Sequence, residues 1–454
     1  MASEMEHNAM ALAPGANDHC YDHTVSRRRL LTFAAATGAS LAGCGRHVKR
    51  GPTEIVYWTG WSGHELDVQR KLIAQFNQTH PHIRVVMLSQ FGNSGYEKVR
   101  IAFAGGATPD VMSTVWADEL AAYAMRDVLR PLDAYLIASH RDITKEYMPG
   151  IAKMVTIGGK VYGLTVSSST NFIAYNRKIF LQCGLYPDRP PETVDQLDAA
   201  AKRCTAYDAN GNFIRYGFRP SDLSMWVYPF GGSWFDESTG EITANSPQNL
   251  AALQWMGSYA RQYNMRQMQA FSTTFGSSST PNGPFYVGKT AMESTGEWER
   301  AFVERYAPGL SWGWFALPFP TGGRPQSTTL DGSIFVIPAA CKHPDEAWEF
   351  LNWMTSHDAV KTFCWSIKNV PPLVSVSRDP LFQSDPLFRF TIPIQQGPAA
   401  FGPPPLPTWT MLKSAISRAE DSVMLGGEDP ARVLNRLQEE AVRQLRRATE
   451  ELRP

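Results

Sequence analysis

The feature that most constrains this chain is a run of hydroxyls set inside a strand. Residues 158–180 begin with a Gly158-Gly159-Lys160 turn and an apolar segment, 161–166. Four consecutive hydroxyl residues follow, Ser167, Ser168, Ser169 and Thr170, and then a second apolar segment, 172–175, closed by Asn176. Glycine supplies the positive φ of a tight hairpin. Both apolar segments carry the β-branched and aromatic residues of strands. Hydroxyls in mid-strand are poor core material, because each buried O–H needs a partner. They suit a strand that leaves one core, crosses a cleft with its hydroxyls toward a polar ligand, and enters a second core. The alternative is an ordinary serine-rich loop.

The length of 454 residues agrees with two cores rather than one. From residue 53 the pattern alternates: strand 53–58, helix 65–77 with Leu66, Val68, Leu72, Ile73 and Phe76 on one stripe, strand 83–88, helix 96–104, strand 109–116. A βαβαβ order calls for a parallel sheet with helices packed on it. Ligands of such sheets sit beyond the carboxyl ends of the strands. Here those ends are 58–62, 90–94 and 116–119, rich in Trp, Asn, Ser and acids. A second crossing strand is expected at 330–338, opening with Asp331-Gly332. Helices are expected at 193–206, 247–263, 299–306, 344–354, 411–425 and 429–452.

The N-terminus reads as an address. Arg27-Arg28-Arg29 precedes a short apolar run, 30–41, and then Leu41-Ala42-Gly43-Cys44. The run is too short and weakly apolar to span a bilayer. The order resembles a twin-arginine signal followed by a lipoprotein box, with Cys44 the lipidated residue. Residues 1–43 are then a signal peptide and 44–52 a tether; Met10 is an alternative start. Beyond Cys44 stand Cys183, Cys204, Cys341 and Cys364, which an exported chain can oxidise. Sequence neighbours suggest Cys183–Cys204 and Cys341–Cys364, but three connectivities exist and free thiols are an equal alternative.

Lys+Arg and Asp+Glu both number 43, so no net field steers the chain to nucleic acid. No nucleophile elbow, zincin helix, Walker loop or dinucleotide fingerprint is present, and the reading calls for neither metal nor cofactor. Asp118 and Glu297 are the carboxylates to examine for glycoside cleavage, since separation in space decides that chemistry. Tryptophan is the positive signal. Trp58, Trp61, Trp116, Trp226, Trp234, Trp298 and Trp409 stand beside Gly, Pro, Ser or acids at expected loop ends, whereas Trp255, Trp348 and Trp353 occupy packing positions in helices. A flat apolar ring matches the C–H face of a pyranose, and neighbouring carboxylates, hydroxyls and amides bond its OH groups. Each of these rings taken alone has core packing as its ordinary explanation. Phe91, Ser168, Ser169, Thr170, Asp331 and Gly332 complete the candidate binding set.

Several segments in order resemble a known family, the carbohydrate-binding solute receptors of bacterial ABC importers, maltose binders among them. They are the strand 55–58 with its helix to Phe76-Asn77 and His80-Pro81, Tyr96-Glu97-Lys98, and Gly105-Gly106-Ala107-Thr108-Pro109-Asp110-Val111. Then come Gly159-Lys160-Val161-Tyr162-Gly163-Leu164 through Tyr175-Asn176, Gly231-Gly232, Val287-Gly288-Lys289-Thr290-Ala291-Met292, Asp331-Gly332 and Ala347-Trp348-Glu349-Phe350. The resemblance implies an α/β two-lobe periplasmic binding protein fold of type II. Its lobes would be 53–165 with 332–370, and 166–331 with 371–454, joined by crossing hinge strands. It implies ring-stacking roles for Trp116, Trp234, Trp298 and Trp409, with Asp118 as a polar sugar contact. Ser169 replaces the hinge carboxylate of maltose binders, and residues 58–62 lack their charged pair, so a sugar other than maltose is expected. The implied protein is a monomer, anchored by its N-terminal lipid, that hands a mono- or oligosaccharide to a membrane permease. A glycerol-phosphate ester, met by Arg378 or Arg324, is the runner-up within the same fold. A secreted glycoside-active enzyme and a structural or adhesive lipoprotein are the alternatives outside it.

Overall fold

The computed structural model describes residues 51–89, 93–275 and 280–452. The twin-arginine segment, Cys44 and Phe91 lie outside the described residues. In chain order the elements that carry the argument are β1 (Thr53–Thr59), α1 (Gly63–Thr79), β2 (Ile83–Ser89), α2 (Asn93–Gly105), β3 (Val111–Trp116), α3 (Ala117–Ala124), β4 (Leu164–Thr165), β5 (Asn171–Asn176), β6 (Met292–Gly296), β7 (Trp312–Phe315), β8 (Ser333–Val336) and α4 (Trp409–Met424).

The first sheet has the order β2-β1-β3-β8-β4. β1 runs parallel to β2 and to β3, as the alternation requires, and β8 and β4 close the edge antiparallel. α1 buries the five apolar residues of its stripe, together with Gln69, and stops before Pro81, which cannot continue a helix. Ile55, Tyr57, Phe76, Phe335 and Phe350 are fully buried in this first core. The Tyr57 ring stacks on Phe335 at 5.4 Å, and Phe76 meets Phe350 edge-on at 5.2 Å. The second sheet is smaller, with β5 between antiparallel β6 and β7. Its surrounding core gathers Ile173, Tyr175, Trp226, Trp234, Met256, Leu412 and Ile416.

The chain passes between the cores at 166–170, after β4 and before β5, and again between β7 and β8. At the crossing the Ser169 N–H donates to the Asp331 carbonyl at 3.2 Å and the Ser168 N–H to Val370 at 3.0 Å. The Asn171 N–H donates to Thr328 Oγ1 at 2.8 Å. Thr328–Thr329 in turn pairs in parallel with Ala400–Phe401. Gly332 is required here, because a Cβ on it would lie 2.8 Å from the Ser167 carbonyl oxygen.

One expectation changes, and one open alternative closes. The sequence reading ends the first lobe at 370, but Leu373, Val376, Phe382, Phe388 and Ile392 pack into the first core. The helix Pro386–Gln396 presents its apolar face there, and proline content alone gave no sign of it. Among the described residues Cys183, Cys204, Cys341 and Cys364 are free thiols. Cys341 donates to Asp110 and Cys364 to the Val166 carbonyl, so the pairing of those two is absent. Among the described residues no helix is long and apolar enough to cross a membrane.

Removing the Phe335 ring leaves a hole against Tyr57 at the centre of the first sheet. Phe335→Ala is expected to lower the unfolding free energy by about 3–5 kcal/mol, read by guanidinium denaturation of residues 45–454. A loss under about 1 kcal/mol would contradict the packing described.

Candidate functional site

Where the crossing segments meet α3 and α4 the chain encloses a cavity of about 330 Å³. Ser169, Asn171, Thr329 and Asp331 come to it from the crossings, Ser294, Thr295 and Trp298 from β6 and just beyond. Met225 and Tyr228 lie on one side, Phe401 to Pro403 on another, and Asp118, Trp409 and Lys413 complete the wall. It therefore offers flat rings next to hydroxyls, an amide and carboxylates.

Asp118 is the second residue of α3, where a carboxylate complements the helix dipole. It reaches across to α4, whose Trp409 and Lys413 share one face because they stand four residues apart. Trp409 Nε1 donates to one carboxylate oxygen at 2.8 Å and Lys413 Nζ to the other at 2.6 Å. This contact ties the first core to the second. Asp331 lies deeper, with one oxygen accepting from the Gly332 N–H at 2.7 Å. Burial raises its carboxyl to about 6, with the neighbouring Asp118 charge adding to the rise and Lys413 opposing it.

Trp298 is half-buried, and its indole folds back over Gly296, where a Cβ would lie 2.1 Å from the ring. Glycine at that position lets the ring lie flat against β6. Tyr228 and Phe401 form a second flat surface, stacked at 4.4 Å with an 8° interplanar angle. Neither was singled out from sequence. The signal was slight, since Phe401-Gly402-Pro403 opens a proline-rich run and Tyr228 sits in an apolar one.

The cavity thus brings together Asp118, Ser169, Trp298, Asp331 and Trp409 of the sequence candidates. Ser168 and Thr170 turn the other way, because side chains alternate along an extended strand. Ser168 donates to Gln395 at 2.8 Å, and the buried Thr170 gives its N–H to Glu297 at 2.8 Å. Glu297 is fully buried and does not reach the cavity, so it shares no open space with Asp118. Its carboxyl is pushed up to about 8 by burial, against the hydrogen bonds it accepts. Gly332 serves the close approach at the crossing. Trp226 is fully buried against Trp255 at 4.6 Å, and Trp234 is 1% exposed with its Nε1 bonded to the Ser224 carbonyl at 2.9 Å. Both are core, because the loop around Gly231-Gly232 folds inward. Trp61 packs edge-on against Trp116 at 5.5 Å and against Phe363 at 6.0 Å. Trp61 and Trp58 pack on the first core, and Trp58, Trp61 and Trp116 do not line this cavity.

The sequence pattern of the bacterial extracellular solute-binding proteins matches residues 65–361. The chain belongs to that family. It is similar to the maltotriose-binding protein of Pyrococcus abyssi, 22% identical over 405 residues that cover 87% of this chain and 83% of that protein. It is also similar to the sn-glycerol-3-phosphate-binding periplasmic protein UgpB of Yersinia enterocolitica, 24% identical over 323 residues, 67% of this chain and 70% of UgpB. Among solved structures, CpMnBP1 with mannotriose bound superposes with a TM-score of 0.77 at 27% identity, over 86% of this chain and all of that one. The two-lobe α/β fold of these solute-binding proteins is the fold of this chain.

Other buried carboxyls resemble Glu297. Glu119 and Glu420 are each raised to about 7, with burial the largest cause. Such groups hold protons in the folded chain that the unfolded chain releases, so stability falls as pH rises from about 4.5 through 8. The melting temperature is expected to be higher at pH 5.5 than at pH 8, with the difference reduced in Glu297→Gln. A melting temperature that rises toward pH 8 would contradict this.

Proposed function

We propose that this chain is the sugar receptor of an ABC importer, taking a mono- or oligosaccharide into the cavity described above. The observation that carries the reading is the pairing of the Trp298 and Tyr228 rings with convergent hydroxyl, amide and carboxylate groups in one enclosed space. A pyranose needs both an apolar face and directed hydrogen bonds. A relative whose name specifies maltotriose, and a neighbour holding mannotriose, support the same class. The lobes close because the closed form alone lets Asp118 and α4 complete the wall, so ligand binding shifts the population toward it.

The receptor works outside the cytoplasm as a monomer, exported through the twin-arginine signal and held to the membrane by lipid on Cys44. It hands its sugar to permease subunits encoded as separate chains. The glycerol-phosphate alternative has the UgpB relatives in its favour and the cavity against it. The Arg324 guanidinium donates to the carbonyls of Tyr228, Gly231 and Gly232, and Arg378 is exposed away from the site. Lys413 is held by Asp118. No free cation in the wall is left for a phosphate among the described residues. The glycosidase alternative loses its carboxylate pair, since Glu297 is sealed away from Asp118.

A ligand that binds only the folded chain raises its melting temperature by mass action. Residues 45–454 are expected to shift with at least one saccharide of a panel, and Trp298→Ala is expected to weaken that sugar by roughly tenfold, about 1.4 kcal/mol. Shifts with phosphate esters alone would overturn the reading.

A further inference from the structure

The charge on the cavity wall narrows the kind of sugar. Asp118, Asp222 and Asp331 line it, against one ammonium, Lys413. Lys413 is engaged by Asp118, and Arg324 faces backbone carbonyls. Asp222 and Asp331 therefore stand at the cavity without an ion pair among the described residues.

Lys413 lies within electrostatic reach of both carboxylates, and Arg219 within reach of Glu420 behind Asp222, yet neither cation forms an ion pair with Asp222 or Asp331. Asp222 sits at φ 69°, a left-handed conformation that Asp and Asn tolerate best. Its N–H donates to Glu420 Oε1 at 3.3 Å, which places a further acid at its back. Asp331 faces the Asp118–Lys413 pair, Asp118 on α3 and Lys413 on α4. When lobes close over a ligand, both carboxylates lose water. Sugar hydroxyls replace that hydration in part, whereas an ammonium replaces it and also balances the charge.

We infer that the sugar taken into this cavity carries a basic nitrogen, as an amino sugar or an oligosaccharide containing one. The inference rests on the sugar-receptor reading and names its ligand class. The raised Asp331 carboxyl is consistent with it, because a bound ammonium draws that group back to its ionised form. Binding of the amine therefore weakens as pH falls through about 6.

The test compares matched pairs on the mature chain by calorimetry. Glucose, galactose and mannose are set beside their 2-amino-2-deoxy counterparts, and cello-oligomers beside glucosamine oligomers of equal length. The amino form of the pair that binds is expected to be tighter by roughly tenfold, with the advantage shrinking in high salt. Asp222→Asn, which suits the same backbone conformation, is expected to bring the ratio toward one. Equal or tighter binding of the neutral partner would overturn the inference and leave the receptor intact. Binding of no sugar of either series would overturn both.

Discussion

The structure depends on how the backbone is satisfied where the chain passes between its two cores. The crossing segment belongs to neither sheet, yet the N–H groups of Ser168 and Ser169, like that of Asn171 at the start of β5, need acceptors as much as any buried amide. They find them at Val370 of the first core and at Asp331 and Thr328 in the neighbouring crossing segment. That mutual bonding holds the segments close enough to require Gly332, and it fixes Ser169, Asn171, Thr329 and Asp331 along one wall. The floor of the cavity is thus a by-product of satisfying the hinge.

The opposite wall is made by an electrostatic contact between cores. Asp118 at the start of α3 receives Trp409 and Lys413 from α4, so the same carboxylate that borders the cavity also joins the two halves. Partly exposed ion pairs of this sort contribute little net stability, and the contact sets geometry more than it adds strength.

The fold was largely legible in the sequence, and the site was legible in part. The α1 stripe and its stop at Pro81 followed from period and proline chemistry, and the helix 344–354 was placed to the residue. The hydroxyl run marked the crossing, but strand alternation, which admits only Ser169 to the cavity, was not applied to it. Tryptophan composition pointed to the right kind of surface and to several wrong rings. Trp234 beside Ser233 has a polar neighbour as Trp298 has beside Glu297, and only the fold decides that the first ring is buried and the second lines the cavity. Asp222 with Tyr228, and Phe401 with Lys413, come from two stretches far apart in sequence and become neighbours through tertiary packing, which no local pattern announces. The boundary at 370 failed for a similar reason: a proline-rich stretch hid a well-packed helix, Pro386–Gln396, that belongs to the first core.

The central claim is that one enclosed space, walled by Trp298 and bordered by Asp118 and Asp331, receives the ligand. A crystal structure of residues 45–454 with the tightest-binding sugar tests it most directly. A pyranose ring is expected to lie flat on the Trp298 indole, with hydroxyl or amino groups within hydrogen-bond distance of Asp331. A sugar seated instead against Trp58 and Trp61, with Trp298 untouched, would contradict it.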